Sequence, residues 1–167
     1  MDQLLTLLAT LAIPFTRFDH PAVFTCEESE GVCPPMPGAH TKQLLMKAKG
    51  KDVFVLAIVM HDKRVDTKAL GKSCGVQSFS FASPELLKKL LGVQPGSVTP
   101  FGLMFDAEKV VRVIVDEDAW AIGQFRFHPL VNTATLTIDR EGFQKFLAHT
   151  GHKFTVESIP QEDDLRA

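Results

Sequence analysis

The sequence predicts an α+β fold, a mixed and mostly antiparallel sheet with short flanking helices. Three observations carry that expectation. Short strand-like runs alternate with short helical ones, and Gly50-Lys51-Asp52 joins two of the strands as a hairpin turn. The run Val53–Met60 is apolar at nearly every position, as a central strand covered on both faces would be. Several helical stretches carry start and stop signals: Asp66 before one, Ser83-Pro84-Glu85 before another, and Gly75, Gly92 and Gly151 after three.

In chain order, Leu4, Leu5, Leu7, Leu8 and Leu11 recur at helical spacing, so 2–12 is expected to be an amphipathic helix ended by Pro14. Phe15–Phe18 alternates as a strand and Asp19-His20-Pro21 turns the chain. Residues 26–40, with three glutamates, two glycines and three prolines, are expected to form a surface loop. Strands at Gln43–Met46 and Val53–Met60 follow, then a helix over 67–73, a brief strand Phe79–Phe81 and a helix from Pro84 to Gly92. Further strands are expected at 101–105, 110–115, 124–127 and 134–138. A last helix starts at Asp139, with Phe143, Phe146 and Leu147 on one side, and a strand at 153–157 follows it. Residues 1–160 are expected to be one domain, with 161–167 a frayed polar tail.

Composition narrows the function classes. With 45% hydrophobic and 23% charged residues, the 167-residue chain has the make-up of a soluble globular protein. The N-terminus lacks a basic region, and no apolar run approaches the ~18 residues of a membrane span. Cys26, Cys33 and Cys74 are an odd number without a CxxC pair, which suits a reducing cytoplasm. The net charge of −2 hides a split. Residues 41–90 hold ten Lys/Arg against four Asp/Glu, and the remainder is acidic. A basic middle can face phosphates, although solvated lysines on helix faces explain it equally well.

Three stretches combine polar side chains with constrained backbone: His40-Thr41-Lys42-Gln43, the Gly96–Pro100 loop, and Phe127–Ala134. The segment Leu91–Gly102 holds three glycines and two prolines, and such a loop leaves backbone groups free to face a ligand. Other chemistries fit less well. Cys26, Cys33 and His40, with His20 nearby, have no spacing of a structural zinc site, so no metal is expected. Cys74 lacks a base partner. Ser97 is not in a nucleophile elbow, and no glycine-rich phosphate loop is present.

On these stretches the chain resembles the YbaK-type aminoacyl-tRNA editing domains, and within them the free-standing prolyl-tRNA editing proteins that act on Ala-tRNA(Pro). The likeness spans roughly residues 5 to 157. It rests on His40-Thr41-Lys42, His61-Asp62-Lys63-Arg64-Val65-Asp66, Ser80-Phe81-Ala82-Ser83-Pro84-Glu85, Gly96-Ser97-Val98-Thr99-Pro100 and Phe127-His128-Pro129-Leu130 with Asn132-Thr133-Ala134. The resemblance implies an editing-domain fold and a deacylase that needs no cofactor. It matches Lys42 to the lysine associated with deacylation and His128 to a pocket histidine. Gly96, Ser97, Val98, Thr99 and Pro100 match the substrate loop. The lysine is usually followed by asparagine in that family, and here by Gln43. Gln43, Asn132 and Thr133 are further candidates for substrate hydrogen bonds. The expected function is hydrolysis of mischarged Ala-tRNA(Pro), with the tRNA(Pro) acceptor end and prolyl-tRNA synthetase as partners. The alternatives are another small aminoacyl-tRNA such as Cys-tRNA(Pro), a non-catalytic module that binds the acceptor end or a synthetase, and hydrolysis of an unrelated small ester.

Overall fold

A computed structural model describes residues 1–163. Its strands form two sheets rather than the single one expected. The smaller has the order β1 (Thr16–Asp19), β7 (Ala134–Asp139), β6 (Gln124–Phe127). The larger runs β4 (Phe79–Phe81), β2 (Thr41–Ala48), β3 (Phe54–Met60), β5 (Val111–Asp116), β8 (Phe154–Glu157). Pairing is antiparallel except for β3–β5 and β5–β8, so the fold is α+β with mixed, mostly antiparallel pairing.

The all-apolar strand β3 lies at the centre of the larger sheet, and its period of two divides the core. Leu56 and Ile58 enter the main cluster, with Leu4 and Leu8 of α1 (Asp2–Thr10), Leu87 and Leu91 of α4 (Pro84–Leu91), and Phe143 and Phe146 of α6 (Arg140–Thr150). Val55, Ala57 and Val59 enter a second cluster with Leu70 of α3 (Thr67–Ser73). The abundant phenylalanines explain themselves here. Phe101, Phe125, Phe127, Phe143 and Phe146 are all buried, with Phe101 edge-on to Phe146 at 5.2 Å. Burying each such ring contributes about 1.5–3 kcal/mol.

The caps read from sequence are in place. Asp66 accepts from the backbone N–H of Lys68 and Ala69, Ser83 from that of Leu86, and Asp139 from that of Gly142. Gly92 and Gly151 close their helices in the left-handed region. Lys63 Nζ lies 2.8 Å from the wholly buried Asp116 carboxylate, which also accepts from the N–H of Ile159. This pair ties the end of β3 to β5 and to the C-terminal segment.

Two of the expected elements need correction. The expected strand at 101–105 is a 3-10 helix, Pro100–Phe105. Thr99 caps it, and Gly102 sits so close to Leu91 that a Cβ would lie 2.6 Å from its carbonyl oxygen. That contact forces a tight coil where an extended chain would pull away. The expected loop at 26–40 begins with a helix, α2 (Cys26–Val32), because the Thr25 hydroxyl caps it and Glu27 and Glu28 occupy its first turn. A short helix α5 (Glu117–Ile122) also follows β5 without a strong sequence signal. At the start of the expected tail, 161–167, Gln161 bridges Val65, and the N–H of Glu162 donates to the Arg64 carbonyl. The remainder of the tail from 164 lies outside the described residues. No helix among the described residues is long and apolar enough to cross a membrane.

Candidate active site

The start of β2, the end of β3 and the end of β6 meet at one edge of the two sheets. Thr41 pairs with Met60, and the N–H of Ala39 donates to the Gln124 carbonyl at 2.7 Å, which brings the smaller sheet alongside β2. The segment 21–29 and the Gly96–Val98 loop close over this edge and leave a cleft of about 350 Å³. That volume is within the usual range for a small-molecule site.

Of the residues expected to act, Lys42, Gln43, Gly96, Val98 and His128 all line the cleft. Lys42 makes no ion pair among the described residues, and its charge acts on the neighbouring Cys26 and Glu27 of α2. Gln43 Nε2 donates to the Thr41 hydroxyl at 2.7 Å, so its amide is partly committed to the strand. The carbonyls of Gly96 and Val98 accept no hydrogen bond among the described residues and remain available to a donor. Gly96 has φ +86°, and a Cβ there would stand 3.0 Å from the Phe24 ring. Glycine is therefore needed for the angle, and a Cβ would also oblige the exposed Phe24 ring to shift.

His128 is mostly buried, and its Nδ1 lies 2.9 Å from the Ala134 carbonyl oxygen. A carbonyl only accepts, so Nδ1 carries the proton and Nε2 the lone pair. Burial pushes the imidazole below its ordinary value, the Ala134 bond partly offsets this, and the nearby His20 adds to the fall. The ring is thus neutral at physiological pH. His20, with its ring centroid 6.0 Å away, is held by the Pro21 carbonyl and the Thr135 hydroxyl.

Five other candidates lie behind the cleft rather than on its lining. Ser97 is buried. Thr99 and Pro100 start the 3-10 helix, with the Thr99 hydroxyl accepting from the N–H of Phe101. Asn132 Nδ2 donates to the Val23 carbonyl at 2.9 Å, and the N–H of Val23 donates back to the Asn132 carbonyl. Thr133 uses its carbonyl to accept from the N–H of His20. Asn132 and Thr133 thus hold Val23 and His20, which in turn shape the site.

The cleft also takes Arg126 and Glu27, which the sequence did not single out, together with Cys26, His40 and His61, which it named without a catalytic role. Arg126 alternates with the core residues Phe125 and Phe127, so it points from β6 toward the cleft, where its guanidinium donates to the carbonyls of Met36 and Pro37. That alternation was the available signal. Cys26 faces the cleft as a thiol, because burial raises its pKa more than Lys42 lowers it. The Glu27 carboxyl is held below its usual range by its own backbone N–H and the Thr25 hydroxyl, with help from Lys42 and His61. His40 and His61 stack with ring centroids 4.3 Å apart, and burial and the charge of His61 lower the pKa of His40.

Residues 20–146 match the model of the aminoacyl-tRNA editing domain. The chain is 36% identical over 149 residues to prolyl-tRNA synthetase associated domain-containing protein 1 of Bos taurus, covering 87% of this chain and 86% of that one. It is 31% identical to the prolyl-tRNA editing protein ProX of Acetoanaerobium sticklandii, covering 88% and 90%. It is 30% identical to the multifunctional Ser/Thr-tRNA deacylase ProXp-y of Escherichia coli, covering 80% and 83%. The crystal structure of a candidate trans-editing enzyme for prolyl-tRNA synthetase superposes with a TM-score of 0.65 at 20% identity, covering 96% and 94%, and so shares the fold. With the family model matched over residues 20–146, which include every residue lining the cleft, this chain belongs to the aminoacyl-tRNA editing domain family.

Proposed function

We propose that this chain is a trans-editing hydrolase that removes alanine from mischarged tRNA(Pro) in the cytoplasm. The observation that carries this reading is the convergence of Lys42, His128 and the Gly96–Val98 loop on one small cleft. An aminoacyl ester is already activated, so its hydrolysis needs an oriented water and a stabilised oxyanion rather than a full catalytic triad. Lys42 supplies fixed positive charge for the oxyanion or the terminal phosphate. The lone pair on His128 Nε2 orients the attacking water and takes its proton. The free carbonyls of Gly96 and Val98 receive the α-ammonium of the substrate.

Val23, Met36, Leu44 and Val98 line the cleft with apolar groups. The alanine reading has the methyl of the bound ester packed against them, with no room left for the larger proline ring. Affinity alone separates side chains that differ by a methylene by only ~1–3 kcal/mol, so serine and cysteine esters are the nearest competitors. The name of the Escherichia coli relative, a Ser/Thr-tRNA deacylase, keeps that second specificity in view. The names of the vertebrate and ProX relatives support tRNA(Pro) and prolyl-tRNA synthetase as partners.

The test is a deacylation panel of Ala-, Ser-, Cys- and Pro-tRNA(Pro) with the purified chain. Alanine is released fastest and Pro-tRNA(Pro) survives. Equal rates on alanyl and prolyl substrates contradict the specificity, and no release from any of the four supports the non-catalytic binding module instead.

A further inference from the structure

We propose that Glu30, His40 and His61 form a binding site for a divalent transition-metal ion, zinc above all, that ties helix α2 to the sheet at the mouth of the cleft. The three come from separate elements: Glu30 from α2, His40 from the residue before β2 and His61 from the residue after β3. One donor atom from each lies within 4.8 Å of the other two, and Glu30 Oε1 is 3.5 Å from His61 Nδ1.

Register explains why the histidines meet. Thr41 is paired with Met60 in the antiparallel ladder, so the next residues outward, His40 and His61, also face each other. The N–H of His61 donates to the His40 carbonyl at 2.9 Å and extends the ladder by that pair. Their rings stack with planes 16° apart, so holding one ion requires the rings to turn out of the stack until both planes contain it.

Two imidazoles and a carboxylate are the donor set of zinc sites with three protein ligands and one open position. Cobalt and nickel accept the same donors, whereas magnesium and calcium prefer oxygen alone. A tetrahedral ion with bonds of about 2.0–2.1 Å holds its donors roughly 3.4 Å apart, so the widest pair has to contract by up to about 1.4 Å. It can do so because α2 has no buried side chain to anchor it. Among the described residues, the polar contacts of the helix to this edge are long ones, Ser29 to His40 at 3.4 Å and Glu30 to His61 at 3.5 Å. An ion replaces those contacts with coordinate bonds and fixes the helix that carries Cys26 and Glu27 over the cleft.

This group differs from the Cys26, Cys33, His40 and His20 set weighed from sequence. His20 is excluded from it by its hydrogen bonds to Pro21 and Thr135. The proposal also stands apart from the deacylase reading, since the three donors converge whatever ester the cleft accepts.

The test uses the full chain after treatment with a chelator. Cobalt is titrated in, and the visible absorption of the bound ion is followed. Wild type binds one equivalent with a tetrahedral spectrum, zinc displaces it, and zinc slows proteolysis within residues 24–36. His61→Ala and Glu30→Gln each weaken cobalt binding by about tenfold or more with unchanged circular dichroism. The Cys26→Ser, Cys33→Ser double variant binds as wild type does. Absence of the cobalt spectrum in wild type overturns the site. So does wild-type affinity in both His61→Ala and Glu30→Gln, or loss of binding in the cysteine variant alone.

Discussion

The carbonyl oxygen of Ala134 lies 2.9 Å from His128 Nδ1 and commits the single proton of that imidazole to the side away from its reactive nitrogen. His128 therefore presents Nε2 as an acceptor only while the ring is neutral. Turnover is expected to be flat at neutral pH and to fall as pH drops through the lowered pKa of His128. His128→Ala lowers kcat by about 100-fold and removes that acidic limb. A pH–rate profile of both proteins checks this, and an unchanged acidic limb in the variant assigns the limb to another group.

The same shift has a stability consequence of definite sign. Because burial depresses the folded-state pKa of His128 below the unfolded value of 6.5, the unfolded chain binds the extra proton more readily. The contribution is fully present above 6.5 and is lost as pH falls through the folded value. Urea unfolding of wild type and His128→Gln over that window measures it, with the variant showing the shallower pH dependence.

Lys42 is half-buried and makes no ion pair among the described residues, so removing its charge orphans no partner. Lys42→Ala is expected to lower the single-turnover rate by about 10²–10³-fold while the melting temperature changes little. Arginine restores the charge without the compact geometry and recovers the rate only in part. Weakened tRNA association with no turnover to lose would favour the binding-module reading.

Gly96→Ala meets two obstacles, a φ of +86° and the Phe24 ring at 3.0 Å from the new Cβ. The left-handed angle costs about 1–2 kcal/mol in stability. Combining it with Phe24→Ala relieves the steric part and leaves the angular part. Chemical denaturation of the two single variants and the double variant separates these terms.

Lys63→Ala leaves the Asp116 carboxylate, which is wholly buried, with only the N–H of Ile159. Breaking a buried pair from one side costs about 3–5 kcal/mol. A large fall in the urea midpoint is expected, and a change below about 1 kcal/mol would mean that water reaches Asp116.

Local chemistry made much of this molecule legible in advance. Asp66, Ser83 and Asp139 mark helix starts because a side-chain oxygen can serve a free N–H only a few residues away. Val53–Met60 marks a covered strand because both of its alternating faces are apolar. Pro100–Phe105 escaped for the opposite reason. A short apolar run suits a strand or a coil equally, and the contact of Gly102 with Leu91 decided it.

The sequence by itself determined where most elements begin and end, and its motifs named Lys42, Gly96 and His128. Only the tertiary structure decided that Lys42 from β2, Gly96 from a loop and His128 beyond β6 share one cleft, while Thr99 and Asn132 brace it from behind. Caps and alternation are settled by neighbours along the chain. The placement of β6 beside the start of β2, and of α2 across their edge, depends on contacts between residues far apart in sequence. Alternation along β6 gives the face that Arg126 takes, but which residues that face meets, His61 among them, was decided only once the chain had folded.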